Sequence, residues 1–173
     1  MKDMLRYGMT LSIICVAAGG LLAGVNKITK AKIVAQAQFE EEASLKEVLP
    51  EAVRFEPVKS AEETIYYKAF DASGNLLGVA FKAIGKGYSS NIETMVGMFK
   101  NGTVNAIKVL SQNETPGLGT NVADKEFTGR FANKNIKDLG NVQAITGATI
   151  SSRAVINSVN KKSQEIQELI KND

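Results

Sequence analysis

The sequence predicts an α+β protein: a single N-terminal transmembrane helix followed by one domain in which a twisted antiparallel sheet is flanked by helices. Three observations lead there. Residues 7–26 carry no charged side chain. Residues 64–110 break into short apolar or alternating runs separated by turn-rich connections. The chain then closes on a long segment with apolar residues at helical spacing. Its 173 residues suffice for one domain of ordinary size.

The uncharged run of twenty residues spans about 30 Å as a helix, the thickness of a bilayer core. Thr10 and Ser12 can bond to a carbonyl of the preceding turn, and Gly19, Gly20 and Gly24 are tolerated in membrane helices. A signal peptide needs a cleavage site close behind its apolar stretch, yet the small-x-small triplet Ala35-Gln36-Ala37 lies well beyond the run. The run therefore reads as an uncleaved anchor. Lys2 and Arg6 precede it and Lys27, Lys30 and Lys32 follow, so lysine counting leaves its orientation open.

Residues 28–49 read as a polar, Ala- and Glu-rich helix ending at Pro50, with a thin apolar stripe that suits a stalk. Two hairpins follow. Residues 64–69 and 76–84 flank the turn-rich stretch Asp71-Ala72-Ser73-Gly74-Asn75, and residues 95–99 and 104–110 flank Lys100-Asn101-Gly102, where Asn-Gly favours a tight turn. Phe127 and Phe131 share one face of a short helix over 123–131. The last helix, 151–171, buries Val155, Val159, Ile166 and Ile170. Strands paired in hairpins, with helices before and after, give an antiparallel sheet of the α+β class.

Composition removes most catalytic machinery. There is no His and one Cys, Cys15, so a Cys/His zinc site, a Cys-ligated iron–sulfur cluster, a Ser-His-Asp triad and an internal disulfide are all excluded. A formal charge of +3 is too small for a nucleic-acid binder. Any chemistry must come from a bound cofactor or from carboxylates.

Two loops stand apart from ordinary connections. Glu114-Thr115-Pro116-Gly117-Leu118-Gly119 is either a tight turn or a place where glycines admit close approach by another group. Thr146-Gly147-Ala148-Thr149-Ile150-Ser151-Ser152 precedes the last helix. A helix start of this kind binds phosphate through its free N–H groups and dipole, or else Thr149 or Ser151 simply caps the helix.

The string TGATISS closely resembles the flavinylation motif of the FMN-binding domain family, whose Ser/Thr-Gly-Ala-Thr run carries FMN in phosphoester linkage. The order Gly87-Tyr88-Ser89-Ser90, Met95-Val96-Gly97, ETPGLG and TGATISSRAV resembles the G subunit of the Rnf complex, a membrane-bound, ion-translocating ferredoxin:NAD oxidoreductase. The likeness runs from the anchor through Leu45-Lys46-Glu47-Val48-Leu49-Pro50 to the terminal helix. One departure is Gln143, where the family motif usually has an acidic residue six positions before the acceptor; it bears on how the attaching enzyme handles the site.

The resemblance implies an electron-transfer protein with no independent catalytic activity and no metal site of its own. It implies covalent FMN on Thr149, with Thr146, Gly147, Ala148, Ser151 and Ser152 forming the rest of the attachment loop. Tyr88 and Leu118 would offer apolar faces to the ring, Glu114 and Thr115 would bond to its polar edge, and Gly117 would allow close approach. The implied partners are the membrane, iron–sulfur and flavin subunits of the complex, membrane lipid, and a flavin transferase that uses FAD and a divalent metal ion. The implied layout is residues 1–6 cytoplasmic, 7–26 spanning the cell membrane once, 27–50 a juxtamembrane stalk, and 51–173 an extracytoplasmic FMN-binding domain. Two alternatives stand beside it. One is the related C subunit of the sodium-translocating NADH:quinone oxidoreductase. The other is a membrane-anchored interaction module in which Thr149 is only a helix cap.

Overall fold

A computed structural model describes residues 2–60 and 63–171. Met1 of the N-terminal segment, and Ala61, Glu62, Asn172 and Asp173 of the expected domain, lie outside the described residues. The chain divides into two compact units, 1–40 and 41–173.

The first unit is helical throughout its described length, as part of the helix α1 (Lys2–Val48). Its apolar side chains, among them Leu11, Ile13, Ile14, Val16, Leu21 and Leu22, are exposed. A contiguous apolar surface of this length is abnormal for a surface in water. By length and composition α1 is long and apolar enough to cross a membrane. Thr10 Oγ1 donates to the Arg6 carbonyl at 2.9 Å, satisfying its hydroxyl within the helix.

The second unit is a six-stranded antiparallel meander in sequence order: β1 (Arg54–Ser60), β2 (Glu63–Phe70), β3 (Leu76–Lys86), β4 (Asn91–Phe99), β5 (Thr103–Ser111) and β6 (Lys134–Asn135). Both expected hairpins are present, β2–β3 and β4–β5, and β3–β4 pairing fuses them into one sheet. The expected short helix resolves into α2 (Lys125–Thr128) and flanking 3-10 turns. Phe127 and Phe131 do share a face: both are buried and meet edge to face, with centroids 5.5 Å apart. The last helix, α3 (Thr149–Lys171), starts two residues earlier than the sequence pattern suggested.

Alternation along the strands gives the sheet two apolar faces. One face, with Val79, Phe81, Val96 and Met98, packs against Val155, Ile156, Val159 and Ile166 of α3 and against Phe127 and Phe131. Ile170 is only half-buried at the edge of this cluster. The other face, with Ala69, Ala80 and Met95, is covered by Leu45 and Val48 at the end of α1 and by Leu49 just after it.

The compact unit thus begins at Glu41, within the segment read from sequence as a stalk. The physical reason lies in packing. Val48 and Leu49 are 0% exposed, and a methyl group built on Gly97 would lie 2.4 Å from the Val48 carbonyl oxygen. Glycine lets the helix end lie directly on the sheet. Asn105 Nδ2 then donates to that same carbonyl at 2.7 Å, satisfying one of the acceptors that a helix C-terminus leaves open. Glu41 accepts from Tyr67 Oη and Lys82 Nζ, each at 3.0 Å, and Lys108 pairs with Glu47.

Candidate functional site

A cleft of about 520 Å³ opens where three connections meet. These are the β3–β4 turn, the loop after β5, and the loop before α3. Tyr88, Glu114, Thr115, Leu118, Gly119, Gly147, Ala148, Thr149, Ile150 and Ser151 line it. The two loops singled out in the sequence are therefore brought face to face, with Tyr88 beside them. Of the expected site residues, Thr146, Gly117 and Ser152 stand outside the lining.

Thr149 is the first residue of α3 and is exposed. Among the described residues its hydroxyl has no hydrogen-bond partner. It does not cap its own helix, and neither does Ser151, whose hydroxyl points elsewhere. The turn before the helix is held instead by Ser152. The buried Ser152 Oγ donates to the Ala148 carbonyl at 2.8 Å and accepts from Ile145 N at 3.1 Å. Ala148 N donates to the Ile145 carbonyl at 3.1 Å. This arrangement leaves the Thr149 side chain available at a helix N-terminus, where unpaired N–H groups and the dipole favour an anion.

Gly117 (φ +75) and Gly147 (φ +81) both take left-handed backbone, the conformation in which a side chain is strained. Gly117 is held by its N–H donating to Thr120 Oγ1 at 3.0 Å. Around the cleft mouth Tyr88, Leu118 and Ile150 are exposed, at 71%, 50% and 57%. Three large apolar side chains in water at one cleft suit a planar ring better than a polar ligand. Thr115 is exposed at the same edge.

Glu114, for which the resemblance implied a bond to the ring's polar edge, lines the cleft and is also tied to the protein itself. It is 5% exposed, and its carboxylate accepts from Tyr88 N at 3.1 Å, Ser89 N at 3.0 Å, Ser90 N at 2.9 Å and Ser151 Oγ at 2.5 Å. Burial by itself raises the carboxyl pKa. The hydrogen bonds from Ser151, Ser90, Ser89 and Tyr88 outweigh it and hold the group down at about 2. Gln143 is exposed, and its carbonyl accepts from Arg130 Nη1 at 2.9 Å.

Comparison with known proteins bears on the same elements. Residues 87–164 match the FMN-binding domain family, and residues 1–48 match the RnfG N-terminal region. The chain is 34% identical to the G subunit of the ion-translocating oxidoreductase complex of Methanosarcina acetivorans, over 91% of this chain and 92% of that protein. This chain belongs to the G-subunit family of ion-translocating oxidoreductase complexes. Another relative is the G subunit of the Na(+)-translocating ferredoxin:NAD(+) oxidoreductase complex of Acetobacterium woodii, 30% identical over 98% of this chain and 95% of that one. In fold, this G-family protein resembles the crystal structure of Shewanella oneidensis NqrC, with a TM-score of 0.52 and 22% identity over 70% of this chain and 74% of that one. The FMN-binding match runs from the Tyr88 turn into α3 and so takes in every loop of the cleft.

Proposed function

We propose that this protein is the membrane-anchored electron carrier of an Rnf-type ferredoxin:NAD oxidoreductase complex, with FMN joined by a phosphoester to Thr149. The observation that carries the reading is the free Thr149 hydroxyl at the N-terminus of α3, in a cleft rimmed by Tyr88, Leu118 and Ile150. Bound there, the flavin supplies one- and two-electron transfer, which the protein's own side chains lack.

The chain's residues divide the task of holding it. The first N–H groups of α3 are free to receive the phosphate, and Arg153 stands one turn beyond Thr149 on the same side of the helix. The apolar rim offers contact area to a ring, and Gly147 keeps the approach to Thr149 open. A covalent bond prevents loss of the cofactor from a site open to solvent. Attachment requires a separate flavin transferase. The single span over 7–26 leaves residues 1–6 in the cytoplasm and the domain on the extracytoplasmic side of the cell membrane. The support for that side is functional: the sites meeting ferredoxin and NAD are cytoplasmic and belong to other subunits.

Thr149→Val tests the reading. It removes the hydroxyl but keeps the branched shape. In a flavin-attaching host the variant accumulates at normal yield without flavin fluorescence on a denaturing gel. A fluorescent variant, or a non-fluorescent wild type, refutes the assignment.

A further inference from the structure

Glu114 holds an unusual position for a charged group. Its carboxylate sits in the cleft wall, yet four of its contacts come from neutral donors on two other segments: the amides of Tyr88, Ser89 and Ser90, and the hydroxyl of Ser151. Ser90 Oγ adds a longer contact at 3.4 Å. Glycines make the seat. A methyl group on Gly87 would lie 2.6 Å from Glu114 Oε1, and one on Gly119 would lie 2.7 Å from Glu114 Cβ. Among the described residues no Lys or Arg pairs with Glu114. The dipoles stabilise the charge without cancelling it.

We infer that Glu114 is a positioning residue that acts as a fixed negative charge beside the cleft and lowers the reduction potential of the flavin held there. The inference rests on the flavin reading above. Reduction adds electrons to the ring, and a neighbouring anion in a poorly solvated wall makes that less favourable. The same carboxylate ties the Tyr88 turn to the start of α3, so geometry and charge are set by one group. Ser151 matters in the opposite sense: its O–H dipole points at the carboxylate and moderates its field.

The two residues therefore give opposite signs. Glu114→Gln removes the charge at nearly constant shape, and the flavin potential becomes more positive. Ser151→Ala leaves the charge and removes a compensating dipole, and the potential becomes more negative. A cleft that is merely loosened would move both variants the same way.

The test is a potentiometric titration at neutral pH of the full-length protein in detergent, with covalent FMN verified by mass in every sample. Potentials that part in the stated directions support the inference. Equal potentials, or both shifted the same way, overturn it while leaving the flavin assignment intact. Should Glu114→Gln fail to fold, Ser151→Ala alone decides, and a potential unchanged or more positive overturns the inference. A wild type without FMN defeats the flavin reading, and this inference with it.

Discussion

The Ser151 hydroxyl donates a 2.5 Å hydrogen bond to the Glu114 carboxylate and joins two loops whose contacting residues stand 37 positions apart. That bond closes the cleft between the segment after β5 and the first turn of α3. It also places an ionised group in a wall where only 5% of the residue meets solvent.

Acid should therefore open the cleft. Glu114 has an ordinary pKa of 4.5 and a folded value of about 2, so the folded state favours its charged form. Its contribution is fully present above pH 4.5 and is lost as pH falls from there toward 2. The difference corresponds to about 3 kcal/mol. Chemical denaturation of wild type between pH 7 and pH 3 should show a loss of about 2 kcal/mol, the rest of the difference being lost only below pH 3, and Glu114→Gln should show a visibly shallower dependence over the same range.

The end of α1 should behave as core. Leu49→Ala removes a fully buried side chain from the sheet face, and such truncations cost about 2–5 kcal/mol. Ile33 is 61% exposed, so Ile33→Ala should change domain stability by no more than about 0.5 kcal/mol. Urea titration in detergent distinguishes the two. Equal effects would mean that residues 45–49 serve as a spacer and not as part of the domain.

Much of this was legible in the sequence, and the failures have physical causes. The hairpins around Asp71–Asn75 and Asn101-Gly102 follow from turn residues and alternation, and Asp71 Oδ1 does accept from Ser73 N and Asn75 N at 2.8 Å. The strand β1 left no such signal. It reads Arg-Phe-Glu-Pro-Val-Lys-Ser, and its Pro57 argues against a strand except at a sheet edge, which is where β1 lies. The last turns of α1 looked like a stalk because Leu45, Val48 and Leu49 form a short stripe whose partner, around Met95, is distant in sequence. The roles of Glu114 and Ser152 depend on tertiary contacts. A Glu before Thr-Pro-Gly looks solvated until the Tyr88 turn is folded over it.

Gly147→Ala forces a side chain into a backbone with φ +81, at a cost of about 1–2 kcal/mol. The expected outcome is a folded protein with a reduced share of flavin-bearing molecules, measured as the ratio of flavin to protein absorbance. An unchanged ratio would show that the attachment loop tolerates a different backbone.

The side of the membrane is open to direct labelling. Lys137 is exposed in the domain, whereas the native Cys15 lies within the apolar run. In intact cells Lys137→Cys should react with a membrane-impermeant thiol reagent. Reaction only after lysis would place the domain in the cytoplasm.

If Thr149 carries the cofactor, one peptide reveals it. Trypsin releases residues 138–153 as a single fragment between Lys137 and Arg153. In protein purified from a flavin-attaching host, mass spectrometry of that fragment should show the added mass of FMN, and fragmentation should place it on Thr149. Modification of Thr146 or Ser151 instead would contradict the acceptor assignment. A fragment with no added mass would rule out covalent flavin on this protein.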